Sequence, residues 1–427
     1  MGKITDIHSG ADYNSEEELT RAEKRMLSQA GRKAKQGRFQ KIRRIAGKVI
    51  LTLCTIALCA AAVFVVIHRD EINLDSLVRM VSYISLERDE DGTSEEITYE
   101  SDDTNCYAQV DDALLVCSGS KISLFSQSGS AYIEEYVTMD NPTISADGSY
   151  AVVYDLGGTA LYGIAGKRIS YTQTVSGTIM GARINSNGYL TLITKETGYK
   201  GVVTVYDTSF KASVQVSISS AYVMDALVSD NGKTLAVITI GADDSTFITT
   251  VTFYDTSTGE VISPSPYTIE GGLAVDLRWY EDGLLLQMND GIQYLTPEDG
   301  VVGALDDADG YLRGYAFSDE GWQVMIWSTY ETGYQGKLIM TDLYGNQLAE
   351  LAVSQEIYSV SIAGDYIALL YTNELVIYDY NANAEDDDER LTLYDSLTDT
   401  AGARQAFMRD DGSALLVASE SATLFVP

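Results

Sequence analysis

The sequence predicts an all-β fold, an eight-bladed β-propeller, preceded by one transmembrane α-helix and a basic cytoplasmic helix. Three observations lead to this prediction. From about residue 97 onward, short runs of Val, Ile, Leu, Tyr and Thr alternate with Gly, Asp and Asn turns. These turns recur at intervals typical of propeller blades. Upstream, residues 49–67 read VILTLCTIALCAAAVFVVI, a stretch of nineteen residues without a charge.

Residues 49–67 have the length and composition of a membrane span. A helix rises about 1.5 Å per residue, so this stretch nearly matches the ~30 Å hydrocarbon core of a bilayer. Residues 1–48 contain 12 basic and 6 acidic residues, whereas residues 49–427 contain 17 basic and 56 acidic residues. Positive charge beside a span stays in the cytoplasm. We therefore expect a cytoplasmic amino terminus, an integral cell-membrane protein with one span, and an extracellular carboxyl-terminal domain.

Two other interpretations of this stretch are weaker. A buried core helix rarely has nineteen apolar residues on all sides. A cleaved signal peptide has a short positively charged region before its apolar core, whereas 48 residues precede this one.

The segments on either side of the span are predicted to be partly helical. In residues 1–48, Ser15-Glu16-Glu17-Glu18 fits a capping box. This basic tail would lie along the inner leaflet or dock a cytoplasmic partner. Residues 68–96 contain apolar residues at helical spacing between Leu74 and Ile84, followed by an acidic linker from Glu87 to Glu96.

Residues 97–427 contain eight repeated units, each marked by a polar turn followed by an apolar strand. The intervals between turns range from 36 to 51 residues, which brackets the ~40–50 residues of a four-stranded blade. The turns are Asp111-Asp112, Asp147-Gly148, Asn187-Gly188, Asn231-Gly232, Asp282-Gly283, Glu320-Gly321, Gly364-Asp365 and Asp411-Gly412.

The two ends of the repeat region predict how the ring closes. The last unit lacks its outer strand, and residues 97–100 supply one strand too many upstream. Pairing of residues 97–100 with the last blade would remove an open edge. A seven-bladed propeller is the alternative, because the unit at Leu284 to Leu295 is short.

The order of these segments along the chain resembles that of a known protein family. A basic tail, a single span, a juxtamembrane helix and an acidic linker precede repeats with Asp-Gly and Tyr-Asp turns, such as Val205-Tyr206-Asp207. From about Arg44 onward the chain resembles an uncharacterised family of membrane-anchored propeller proteins from Gram-positive anaerobes, a domain of unknown function. The resemblance implies a fold and a membrane topology, and it implies no activity.

The composition excludes several function classes for the repeat region. The chain has two His residues, His8 and His68, and neither lies in the repeats, so His-dependent nucleophiles and His metal sites are absent there. The net charge of −39 over residues 49–427 opposes nucleic acid as a ligand. We expect no enzyme and no cofactor, with carboxylate-pair chemistry on carbohydrates as the remaining catalytic alternative.

Two further groups of residues are weak site candidates. Asp306, Asp307 and Asp309 form a dense acidic loop that could hold Ca²⁺, although the bidentate Glu that completes an EF-hand loop is missing. Cys106 and Cys117 flank the Asp111-Asp112 turn symmetrically, so a two-residue hairpin would place them opposite each other. The sequence leaves open whether they form a disulfide.

The leading functional hypothesis is a membrane-anchored binding or scaffolding module that holds a protein or peptide of the cell envelope. Two similar loops, at 195–201 and 330–336, present Tyr199 and Tyr334 as partner contacts on one face. The alternatives are a single-pass sensor whose basic tail relays ligand binding, and the carbohydrate-active enzyme.

Overall fold

The computed structural model describes Thr55, Tyr83 and residues 88–243, 246–306, 310–331, 335–384 and 389–427. The predicted tail at 1–48, the span at 49–67 apart from Thr55, and the juxtamembrane helix apart from Tyr83 lie outside the described residues. Within the described part of the chain, the structure contains no helix whose length and apolarity would let it cross a bilayer.

The described chain forms thirty-two strands in eight antiparallel sheets of four, which confirms the eight-bladed propeller. Each of blades 1 to 7 uses four consecutive strands. The strands of the first four blades are β2 (Cys106–Val110), β3 (Ala113–Cys117), β4 (Lys121–Phe125) and β5 (Ala131–Tyr136); β6 (Pro142–Asp147), β7 (Tyr150–Asp155), β8 (Ala160–Ala165) and β9 (Arg168–Thr174); β10 (Thr178–Ile184), β11 (Leu190–Lys195), β12 (Gly201–Tyr206) and β13 (Ala212–Ile218); β14 (Tyr222–Val228), β15 (Thr234–Asp243), β16 (Thr246–Asp255) and β17 (Tyr267–Glu270).

Blades 5 to 7 repeat this pattern, and blade 8 combines the two ends of the repeat region. The strands are β18 (Ala274–Tyr280), β19 (Gly283–Met288), β20 (Gly291–Thr296) and β21 (Gly300–Asp306); β22 (Tyr311–Phe317), β23 (Trp322–Ser328), β24 (Gly336–Asp342) and β25 (Gln347–Val353); β26 (Ser359–Ala363), β27 (Tyr366–Leu370), β28 (Glu374–Tyr380) and β29 (Leu391–Thr398); and β30 (Gln405–Met408), β31 (Ala414–Val417), β32 (Ser421–Phe425) and β1 (Ile97–Thr98). The short fifth unit, the reason for the seven-bladed alternative, therefore forms a full blade.

The first strand of each blade lies innermost and contacts the inner strands of neighbouring blades around a central channel. Because every blade is an antiparallel meander, all inner strands run in the same direction along the channel. We call the face where they begin the amino face and the face where they end the carboxyl face. Loops from the second to the third strand lie on the amino face, and turns from the first to the second strand lie on the carboxyl face.

The second strands carry most of the core. Residues in β3, β19, β23 and β27 are buried throughout. Because each sheet packs against a neighbouring blade on both sides, these strands are continuous apolar runs rather than alternating ones. Cross-blade contacts align the sheets; for example, Trp279 packs against Phe253 and donates a hydrogen bond of 3.0 Å to the carbonyl of Leu227.

Blade 8 closes the ring with a strand from the beginning of the domain. Ile97 pairs with Ala422, and Thr98 pairs with Ser421. The Tyr99 hydroxyl donates to the carbonyls of Ala418 and Ser421 at 2.7 and 2.8 Å. The predicted strand at 97–100 is thus two residues long in the structure, and Tyr99 continues its contacts.

The chain enters the propeller from the carboxyl face. Tyr83 is buried there, and its hydroxyl lies 3.1 Å from Ser413 and accepts a hydrogen bond of 3.3 Å from Arg409. Arg409 also donates to the carbonyl of Asp112 in blade 1. These contacts hold Tyr83 against the junction of blades 8 and 1. Tyr83 and the described residues 88–98 leave the centre of the amino face uncovered.

The closing strand β1 should contribute measurably to the free energy of unfolding. Ile97 is 2% exposed, and its substitution Ile97→Ala should lower the free energy of unfolding by about 3 kcal/mol because it empties a packed site. Thr98→Ala, at the exposed neighbouring position of the same strand, is the matched control and should change it little. Thermal unfolding followed by circular dichroism measures both variants, and equal melting temperatures would contradict closure through β1.

Candidate functional site

Four consecutive inner strands carry a β-bulge near the same point. The register of β10, β14, β18 and β22 shifts by one residue against the neighbouring strand, and the extra residues are Met180, Met224, Val275 and Arg313. The inner strands β2, β6, β26 and β30 of the other blades pair without a shift. Bulges redirect side chains beside functional sites. Blades 3 to 6 therefore differ from the rest of the ring along the channel.

An exposed apolar surface lines the amino end of the channel in these blades. We call it the amino rim; its members are between 47% and 61% exposed, and they are Met180, Tyr222, Met224, Val275 and Tyr311. Three of the five are bulge residues, so the shift in register places them where solvent reaches them. Large exposed apolar side chains that are grouped on one part of a folded protein mark an interaction surface.

Two loops of the amino face are tied to this rim by basic side chains. The Lys200 ammonium lies 4.7 Å from the centre of the Tyr222 ring and donates to the carbonyl of Ser220. The Arg313 guanidinium lies 5.6 Å from the Tyr311 ring and donates to the carbonyls of Tyr330 and Glu331. These cation–π and hydrogen-bond contacts fix the loops beside the rim.

The Tyr residues predicted as partner contacts belong to these same loops. Tyr199 is 45% exposed in the β11–β12 loop on the amino face. Tyr334 lies outside the described residues, and Tyr330 in the same β23–β24 loop is exposed. The role of Tyr199 and Tyr334 in binding a partner stays a prediction.

Within the channel, an ion cluster joins blades 3 to 6. Arg183 Nη2 donates to Asp225 at 2.5 Å and to Asp276 at 2.7 Å, and Arg183 Nε donates to Asp225 at 3.0 Å. The Tyr315 hydroxyl donates to Asp276 Oδ2 at 3.2 Å. Asp225 and Asp276 each follow a bulge directly, and each accepts the backbone N–H of the next residue at 2.8 Å. The bulges thus aim both carboxylates at one guanidinium.

The ion cluster carries one more negative charge than positive charge. Burial raises the pKa of the Asp225 carboxyl, even though Arg183 opposes this shift. Burial lowers the pKa of Arg183, but the two carboxylates outweigh it and hold that pKa above its usual value. The side chains of Arg183, Asp225 and Asp276 are 30%, 20% and 21% exposed, so the charges are partly withdrawn from water without being sealed.

A second group of charges lies at the carboxyl end of the channel. A cavity of about 480 Å³ is lined by Asp147, Asp230, Arg278 and Asp319, with Arg278 ion-paired to Asp319. Burial raises the pKa of Asp147 and of Asp230, and the nearby Arg278 opposes both shifts. This mouth is acidic, and the apolar residues of the amino rim are not among those that line its cavity.

The cysteine pair has the predicted register. Cys106 pairs directly with Cys117 across the β2–β3 hairpin, and the Cys106 thiol donates to the carbonyl of Cys117 at 3.4 Å. Both thiols are free in the structure. The contact between the thiols lowers the pKa of Cys106 and raises that of Cys117. A disulfide between Cys106 and Cys117 stays a hypothesis.

The acidic loop proposed for Ca²⁺ is mostly outside the described residues. Asp306 ends β21, and Asp307 and Asp309 are not described. Among the residues that the structure does describe, His, Cys, Asp and Glu side chains do not gather in threes where a metal ion could bind. A Ca²⁺ site at this loop stays a prediction.

Sequence reasoning missed the amino rim and the ion cluster. The signal is visible once the blades are aligned on their inner strands: an exposed residue stands before Gly or Asp in Met180-Gly181, Met224-Asp225, Val275-Asp276 and Arg313-Gly314. Before alignment, Asp225 and Asp276 are two acids among 47 in residues 97–427, and nothing local distinguishes them.

Comparisons with known proteins give one family match and several structural similarities. The model of a family of unknown function, DUF5711, matches residues 88–390, as the resemblance implied for the repeats. The crystal structure of the C-terminal WD40 domain of Sif2 is similar with a TM-score of 0.55 and 12% identity, over 78% of this chain and 98% of that one. A crystal structure of the eukaryotic initiation factor has a TM-score of 0.50 and 12% identity, over 80% and 87% of the two chains. No curated protein matches the chain.

The ion cluster predicts a pH-dependent variant. Arg183→Met would leave two carboxylates facing each other, which should lower the free energy of unfolding by about 3 kcal/mol at pH 7.5. The pKa of Asp225 is already raised and should rise further, so the folded variant binds a proton that the unfolded chain releases. Its stability relative to the unaltered protein should therefore recover as the pH falls toward 5.

Thermal unfolding between pH 5 and pH 7.5 measures this effect. Lys337→Met is the control, because it removes an exposed ion pair with Glu350 that should contribute less than about 1 kcal/mol. A loss in the Arg183 variant that does not change with pH would show that the two carboxylates are not coupled through Arg183.

Proposed function

The chain belongs to the DUF5711 family, a family of unknown function, and we propose that it is a protein-binding or scaffolding module that holds its partner on the amino face of the propeller. Propellers present a rigid disc with loops on both faces. The partner is a protein or peptide of the cell envelope, and binding rather than catalysis is the function.

The amino rim carries this proposal. Five side chains that are about half exposed line the part of one channel mouth that blades 3 to 6 form, and Tyr83 packs against the opposite face. Exposed Tyr and Met are frequent in protein interfaces, because they bury large apolar areas with adaptable geometry. Tyr199 would extend the contact outward from the rim over blade 3, and we keep Tyr334 as a second partner contact on the basis of its similar loop sequence.

We also propose that residues 49–67 anchor the module in the cell membrane, with residues 1–48 in the cytoplasm and the propeller outside. The support is the length of the apolar stretch and the opposite charges on its two sides. The partner would then be a protein or peptide at the outer surface of that membrane.

Binding fits the chemistry of residues 97–427 better than catalysis does. This region contains no His, and its Arg183, Asp225 and Asp276 side chains bind one another. An ion cluster of this kind fixes the position of the inner strands, and the rim that these strands present is thereby held rigid.

Site-specific photo-crosslinking tests the choice of face. We expect a photoreactive benzoylphenylalanine at position 222, in place of Tyr222, to capture a partner in intact cells. The same group at Tyr344, an exposed residue of the β24–β25 turn on the carboxyl face, should capture none. Mass spectrometry identifies the captured protein. Capture at position 344 and not at 222 would place the binding surface on the carboxyl face and contradict the proposal.

Limited proteolysis tests the membrane topology. We expect external protease to digest the propeller of intact cells and to leave a membrane-bound fragment that contains residues 1–48. Extraction with alkaline carbonate should not release that fragment, since a span of nineteen apolar residues is held by the bilayer. Complete protection of the propeller, or release of the fragment by carbonate, would contradict the anchored arrangement.

A further inference from the structure

We propose that the partner segment bound on the amino face combines apolar side chains with Lys or Arg, and that a basic side chain of this segment enters the channel and pairs with Asp276. This inference rests on the proposed binding role of the amino face and specifies the chemistry of what binds there.

The apolar half of the ligand follows from the amino rim. Met180, Met224 and Val275 come from three adjacent blades and stand at equivalent bulge positions, with Tyr222 and Tyr311 beside them. Their exposed side chains are grouped on one side of one channel opening, in blades 3 to 6. A ligand made only of polar groups would leave this surface without a complementary partner.

The basic half follows from the ion cluster, whose residues come after the rim residues along the same strands. Arg183 donates to both carboxylates, but two carboxylates and one guanidinium leave one negative charge in excess. Asp225 uses both oxygens on Arg183, whereas Asp276 Oδ2 accepts only the Tyr315 hydroxyl at 3.2 Å among the described residues. An ammonium or guanidinium group at Asp276 would make the cluster neutral through a charge-assisted hydrogen bond.

The surroundings of the rim favour a basic ligand as well. Residues 97–427 contain 14 basic and 47 acidic residues. Acidic residues in the described loops of the amino face include Glu196, Asp290, Glu331 and Glu356. The two basic residues beside the rim, Lys200 and Arg313, donate to backbone carbonyls and face Tyr rings. An acidic segment would therefore be repelled, whereas a basic one would be attracted over a distance.

Three defined peptides test the ligand chemistry. They are fluorescein-labelled nonapeptides in which Leu alternates with Lys, Leu alternates with Glu, and Ser alternates with Lys. Fluorescence anisotropy measures their binding to the full-length chain held in amphipol, with empty amphipol as the reference. We expect the Leu–Lys peptide to bind at least about tenfold more tightly than either of the other two.

Matched variants then locate the site. Asp276→Asn and Tyr222→Ser should each weaken binding of the Leu–Lys peptide by about tenfold, because one removes the excess charge and the other part of the rim. Asp299→Asn and Tyr344→Ser make the same changes at exposed positions of the carboxyl face and should leave binding unchanged. A melting curve of the Asp276→Asn variant checks that it is folded. Tyr222→Ser changes a side chain that is 61% exposed, so it tests the rim without a change in the core.

Each other outcome contradicts the inference. Equal binding of the Ser–Lys peptide would mean general attraction to an acidic protein, and equal binding of the Leu–Glu peptide would exclude a role for charge. Full binding by the Asp276 variant would remove the channel from the site. If none of the peptides binds, the ligand class is wrong, whereas the binding role itself fails only if position 222 captures no partner by crosslinking.

Discussion

The structure depends on one constraint, which is that each blade is apolar on both sides of its sheet. A sheet of this kind is stable only between two neighbours, so a linear array would expose one core face at each end. The ring removes both ends, and Ile97–Thr98 completes it by pairing with β32 of the last blade. Because blade 8 contains strands from both ends of the domain, the closure holds the remaining seven blades in a fixed order around the channel.

A rigid ring allows small differences between blades to become a site. The bulges in β10, β14, β18 and β22 add one residue each, and they occur in four adjacent blades of the described ring. On the solvent side of each bulge the extra residue is exposed, and in β14 and β18 the residue that follows is an Asp that binds Arg183. One backbone feature thus produces both the apolar rim and the ion cluster beneath it. The proposed site occupies half of the propeller for this reason.

The sequence predicts the architecture well because repeated patterns determine it. The eight turns give the number of blades, the continuous apolar runs identify strands such as Tyr366–Leu370, and the surplus strand at residue 97 indicates how the ring closes. The opposed cysteines also follow from counting residues away from a turn. Each of these features depends on residues that are close in sequence or on a simple period.

The site depends on something else, which is the registration of distant strands. Arg183 and Asp276 are 93 residues apart and meet only because β10 and β18 lie near each other around the channel. A bulge shifts the register by one residue and reverses which side chains point outward, so alternation alone misplaces Met180 and Met224. The Tyr-bearing loops at 195–201 and 330–336 were predicted for one face, and the described ends of both loops do lie on the amino face.

Hydrogen–deuterium exchange of the full-length chain, with and without membrane extract from its own cells, shows directly which face of the propeller binds a partner. We expect slower exchange in peptides that cover residues 178–184, 196–200, 222–228, 274–276 and 311–315 when the extract is present. Turns of the carboxyl face in the same blades should exchange as before. Protection confined to the carboxyl face, or to blades 1, 2, 7 and 8, would contradict a binding surface built on the bulged inner strands.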